Sequence, residues 1–195
     1  VRQQSARLLQ LAEQHRLAGF RAHGLGFFGW SLCMQGHLDQ GIAAIEQAVA
    51  AFDAVSFRLA EAGHLANLAQ ALLQAGRPAE SRKAASRAMD LVPEGSQWLE
   101  PEVLRIAAVV EAAAQPSGDT AELLFRRALE AAQQLGFPVL ERRCLLSLQD
   151  ELARQQRPCD PALASRVAEL AQYEGLDRAV IRALGGTTSP CAGDR

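Results

Sequence analysis

Four histidines, four cysteines and one glycine-rich run are the places where this chain could do chemistry. His15, His23, His37 and His64 form no HExxH pair. None has a cysteine or carboxylate at metal-ligand spacing on its own helix face, so no metal site is expected. Gly24-Leu25-Gly26-Phe27-Phe28-Gly29 is a literal GxGxxG. A dinucleotide loop needs a strand before those glycines and a helix opening at them. Here a helical pattern already runs through them, so they read as sites of close helix packing. No GxxxxGK[ST] and no GxSxG occurs, which leaves neither a P-loop nor a nucleophile elbow. Cys33, Cys144, Cys159 and Cys191 form no CxxC pair and read as reduced thiols of a cytoplasmic protein. Glu100, Glu102 and Glu111 lie on or beside one helix, with Arg105 three residues after Glu102 in position to pair with it. The expectation is therefore a chain with no catalytic residues and no cofactor.

The elements that would position any ligand-binding group are helices. Ala, Leu, Gln, Glu and Arg dominate the 195 residues, and aromatics make up 5%. β-Branched runs are almost absent, which argues against a sheet. The formal net charge of -2 supplies no basic field for nucleic acid. Lysine occurs once, at Lys83. No apolar run is long enough to cross a membrane, and no signal peptide is evident.

Self-alignment gives a repeat of about 40 residues. Ala48, Ala88, Ala128 and Ala168 fall in register, as do Leu32, Leu72, Ala112 and Leu152. Gly41, Ser81 and Ala121 keep one slot small, and Pro161 departs from it in the last unit. Each unit splits into two helical stretches: 20–35 with 39–53, 57–74 with 79–91, 100–114 with 119–134, and 139–155 with 161–173. A leading helix covers 2–15 and a closing one 176–184. Gly36 and Gly76 should end helices, Asp39 should cap one, and Pro78 should open one. One hairpin cannot bury its own apolar face, so the units must stack. The fold expected is all-α: a tetratricopeptide-like α-solenoid of helical hairpins over residues 1–184, with a disordered tail at 185–195. The chain opens on Val1 in the middle of a helical pattern, which points to a segment of a longer protein.

Several stretches resemble one family. They include Gly29-Trp30-Ser31-Leu32 with Gln35-Gly36 and Gly41-Ile42, and Leu68-Ala69-Gln70-Ala71-Leu72 with Ala75-Gly76-Arg77-Pro78. Glu102-Val103-Leu104-Arg105, Phe125 to Ala132 and Leu140-Glu141-Arg142-Arg143 continue the series. Together they are similar to the C-terminal tetratricopeptide-like region of bacterial multidomain ATPase regulators. In these an ATPase module accompanies a class III nucleotide cyclase or a LuxR-type DNA-binding domain. One departure is Ala107-Ala108-Val109, where the family usually shows a Gly-Glu-Leu step. The resemblance implies a sensory or scaffolding arm of a signalling protein.

In such a stack the first helix of each unit lines the concave face. By register that face should carry His23, Phe27, Trp30 and Met34 from the first unit. The second should offer His64, Asn67, Gln70 and Gln74, and the fourth Arg143, Ser147 and Asp150. An aromatic beside amide donors suits a protein or peptide segment, or a small polar effector. The opposing expectation for Trp30 is that it belongs to the core. Asn67 has no lysine beside it, which argues against capture of a C-terminal carboxylate. The competing function is structural: self-association through the apolar outer surface or an uncapped terminal helix, motivated by the helix Leu104 to Ala114, which is apolar almost all round, or a free-standing adaptor.

Overall fold

The computed structural model describes residues 2–55, 60–92, 97–116, 118–173 and 175. Among the described residues the regular structure is helical throughout. The helices are α1 (Arg2–Gln14), α2 (Ala18–Cys33), α3 (Leu38–Val55), α4 (Glu61–Gln74), α5 (Pro78–Leu91), α6 (Glu100–Ala114), α7 (Thr120–Leu135), α8 (Pro138–Arg154) and α9 (Pro161–Glu169). Single 3-10 turns cover Gln97–Leu99 and Leu170–Tyr173. The expected helix start at 57 falls partly outside the described residues, and the closing helix 176–184 and the tail 185–195 lie wholly outside them.

The helix ends follow from backbone chemistry. Gly36, Gly76 and Gly136 take left-handed φ of 86°, 72° and 65°. At each, the glycine N–H and the next residue's N–H reach back to carbonyls of the last turn: Gly36 to Cys33 and His37 to Leu32, Gly76 to Leu73 and Arg77 to Leu72, Gly136 to Gln133 and Phe137 to Ala132. This double bond satisfies carbonyls that a helix end otherwise leaves bare. Arg16 and Gln156 make the same turn at φ of 55° and 56° without being glycine. Those five positions are separated by multiples of 20. Pro78 opens α5 as expected. Asp39 does not cap α3. The helix starts one residue earlier, at Leu38, and the Asp39 carboxylate lies in the first turn, where the helix dipole favours it.

Consecutive helices pack against one another, and α2, α4, α6 and α8 also touch in series. Each hairpin crosses at the small slot seen in the sequence. In the first, a Cβ added to Gly41 would stand 2.6 Å from the Gly29 carbonyl oxygen, so the two helix backbones meet with no side chain between them. In the second hairpin Ser81 holds the Gly41 position, and its buried hydroxyl donates to the Ala69 carbonyl at 2.7 Å. Ala121 fills the slot in the third and is fully buried. Where Pro161 replaces a small residue, α9 buries none of its side chains completely.

Besides a small cluster of Ala22, Phe52 and Ala60, two larger apolar cores result among the described residues. One joins α2 to α6 around Ile42, Ile45, Leu65, Leu68 and Leu72. The other joins α6 to α9 around Phe125, Leu129, Leu145 and Leu148. The helix α6 serves both, with Val103, Ile106 and Val110 in the first and Leu104 and Ala108 in the second. Its all-round apolar character is thus consumed inside the molecule.

Buried carboxylates tie the layers together, each held by arginine as burial of charge requires. Glu61 on α4 takes Arg87 of α5 at 2.5 Å, and Arg87 also holds Asp53 of α3. Glu141 on α8 takes Arg166 of α9 through both oxygens and accepts from Gln133 of α7. Glu122 on α7 pairs with Arg126 and with Arg157 beyond α8. These clasps between helices were not foreseen in the sequence.

Candidate functional site

Three of the four glycines of α2 stand where neighbours press on it. At Gly24 an added Cβ would crowd Leu8 and Leu9 of α1. At Gly26 it would lie 2.5 Å from Cε1 of His64 on α4, and at Gly29 2.7 Å from the Gly41 carbonyl of α3. The GxGxxG lies mid-helix and does packing work, as the sequence reading held.

The room made at Gly26 is filled by His64, which is 2% exposed. Its Nε2 lies 2.9 Å from Nδ1 of the half-buried His23, so the two rings share one hydrogen bond. Phe52 of α3 stacks on the His64 ring at 5.4 Å and 18°. Phe27 meets both imidazoles edge-on, at 4.5 Å from His23 and 5.1 Å from His64. Nδ1 of His64 is buried with no hydrogen-bond partner among the described residues. Burial, and secondarily the charge His23 would carry, push the His64 pKa down to about 3; burial also lowers that of His23. The pair is therefore neutral at ordinary pH.

A second polar crossing joins α6 to α8. Glu102 accepts from Arg105 Nε at 2.9 Å and Nη2 at 2.8 Å, and Arg143 approaches it to 3.6 Å. Arg105 also reaches the Ser147 hydroxyl at 3.4 Å. Burial raises the Glu102 pKa, but the charge and hydrogen bonds of Arg105, with Arg143 behind them, outweigh it and bring it to about 2. Beneath lies Cys144, whose thiol is pushed up to about 12, chiefly by burial, and which donates to the Pro101 carbonyl. Cys33 is raised to about 11 by burial. Neither thiol is poised as a nucleophile. The Glu102–Arg105 pairing was legible from their spacing, whereas its cross-helix partner was not. His23 with His64 and Glu102 with Arg143 are both separated by 41 residues in the chain. The two crossings are thus equivalent in their placement.

The eleven residues singled out in the sequence divide by burial. His23, Phe27, Met34, Asn67, Gln70, Arg143 and Ser147 are half-buried on α2, α4 and α8 or, for Met34, at the end of α2. Gln74 and Asp150 are exposed. His64 lies inside, and Trp30, 8% exposed, packs in the first core. The structure brings His23, Phe27 and His64 into direct contact. Two shallow grooves, of about 500 and 590 Å³, lie elsewhere, on α5 beside Arg82 and Lys83 and on α1 beside Arg7 and Leu11. Among the described residues no cluster of three or more His, Cys, Asp or Glu could hold a metal ion. No helix of the described residues is long and apolar enough to cross a membrane. No protein-family model matches the chain, and no curated protein matches it.

Proposed function

We propose that this chain is a non-catalytic interaction or effector-sensing domain, built as a tetratricopeptide-like stack and serving as the regulatory arm of a larger bacterial signalling protein. The observation that carries the reading is the serial contact of α2, α4, α6 and α8, a continuous helical layer beside the outer helices. Half-buried Phe27, Asn67, Gln70 and Arg143 come from that layer and combine a ring face, two amides and a guanidinium. That mixture suits an extended peptide, whose backbone needs amide partners and whose side chains need one apolar anchor.

The test is selection from a displayed random-peptide library on the intact chain. Enriched peptides should lose tenfold or more in affinity on Asn67→Ala, Gln70→Ala or Phe27→Ala. Peptides that bind all three variants as well as the parent would remove the inner layer as the site. Trp30→Ala is unsuited to this purpose, because truncating a core aromatic costs about 3–5 kcal/mol of stability.

Self-association is the second reading. Its support comes from exposed apolar side chains, Phe20, Trp98, Leu123 and Phe137, since α6 is buried between two cores. Sedimentation equilibrium that finds only monomer at high micromolar concentration would exclude it.

A further inference from the structure

We propose that the His23–His64 pair is a proton-operated latch that holds α2 against α4 when both rings are neutral and lets them part when the pair takes up protons. The latch goes beyond the binding reading and does not depend on what the inner layer binds.

A hydrogen bond between two imidazole nitrogens needs one N–H and one lone pair. If His64 Nε2 donates, its Nδ1 is a bare acceptor; if His23 donates, His64 Nδ1 carries a bare N–H. Either way the pair holds at 2.9 Å with one orphaned nitrogen. The first extra proton can reside on His23, which is half-buried and reaches the rim. It then sets a cation against a ring enclosed by Phe27 and Phe52. A proton added to His64 turns both its nitrogens into donors. Nε2 can still donate to a neutral His23, but Nδ1 becomes a buried donor with no acceptor among the described residues, and once His23 is protonated as well two N–H groups face each other. No slack exists on the far side, where the Gly26 backbone already abuts the ring.

Among the described residues no neighbouring charge is shown to compensate. The titratable group against the ring is His23 from α2; the charged groups on the packed helices nearest in sequence are Asp53, next to Phe52 on α3, and Glu61, one turn earlier on α4, with Arg87 of α5 bonded to both. The two carboxylates already hold Arg87, at 2.6 and 2.5 Å. Burial and the His23 charge both act to keep the proton off His64. The second proton can therefore be accommodated only by opening the α2–α4 contact, where the rings regain water.

Hydrogen–deuterium exchange of the intact chain between about pH 7.5 and about pH 5, corrected for intrinsic exchange, reads this directly, with opening expected to rise up to about tenfold per pH unit for each proton taken up. Amides of α2 and α4 around the pair should lose protection, while α7 and α8 keep theirs. His64→Gln can still donate to His23 but cannot titrate, so its α2 protection should lose most of its pH dependence. Should that variant fail to fold, His23→Gln on the rim carries the test, because it removes one of the two titrating rings and should roughly halve the slope. Parent and variants with the same slope would overturn the latch. So would loss of protection in α8 at the same pH and rate as in α2, which would mean global acid unfolding.

Discussion

Replacing Gly41 by alanine should destabilise the protein, although alanine is the better helix former. Inside a helix the change is worth roughly 1 kcal/mol in favour of alanine on propensity alone. The new methyl would sit 2.6 Å from the Gly29 carbonyl oxygen and 2.8 Å from the Cys33 backbone nitrogen. Both are main-chain atoms of α2 and cannot rotate aside, so the hairpin must spread. Overpacking of this kind costs about 1–3 kcal/mol, and more when backbones must separate. The expected net loss is about 2 kcal/mol, equivalent to about 4–8 °C in Tm for a chain of this size. Gly63→Ala is the matched control. Its methyl would meet only Leu99 carbons, at 3.4 and 3.6 Å, which is ordinary contact. That change should stabilise by about 0.5–1 kcal/mol. Thermal and urea melts followed by far-ultraviolet circular dichroism, run on both variants beside the parent, measure the two signs. Gly41→Ala as stable as the parent would refute the backbone-contact account. Gly29→Ala makes the same clash from the other side, so the double variant should lose less than the sum of the singles.

Other changes probe the polar crossings. Ser81→Ala removes a buried hydroxyl bonded to the Ala69 carbonyl and should cost about 1 kcal/mol in urea melts; no cost would show that this bond adds nothing. Glu102 has its folded pKa held down to about 2, below its unfolded value, so its contribution is complete above about pH 4.5 and is lost as pH falls toward 2. Glu102→Gln should flatten the stability profile across that window, and an unchanged profile would count against the α6–α8 crossing. His64 runs the same course in a higher pH window. Its folded pKa lies below the unfolded one, so its stability is complete above about pH 6.5 and falls by about 2 kcal/mol at pH 5, a loss His64→Gln should abolish. Glu61→Ala strands Arg87 with Asp53 alone and should lower the urea midpoint by an amount equivalent to about 1–3 kcal/mol.

The helices were legible because each carries a local signal. Apolar spacing, a glycine at the C-terminal turn and a proline at the start act within a few residues of one another. The small slot at Gly41, Ser81 and Ala121 was visible for the same reason, through its repetition. The site was less legible, because its geometry depends on pairs distant in the chain. His23 and His64 were assigned to the same face by register, but nothing local says that they meet or that Gly26 makes room for one ring to sink inside. Trp30 looked available because an aromatic on a predicted inner face can serve core or ligand equally; only packing against Ile45 and its neighbours decides. The arginine clasps were invisible because arginine and glutamate are abundant, and only the fold selects which of them meet.

The left-handed turns at Arg16, Gly36, Gly76, Gly136 and Gln156 set the arithmetic of the chain. Because their spacing is always a multiple of 20, the helices that end at these turns do so at matching positions of the repeat. Length is therefore a quantity this molecule cannot vary smoothly. One residue added inside α4 would swing everything after it by about 100°, aiming the apolar stripes of α5 at water. The same residue added at a turn would be absorbed locally. Tolerated length changes should therefore fall at the turns or come in whole hairpins.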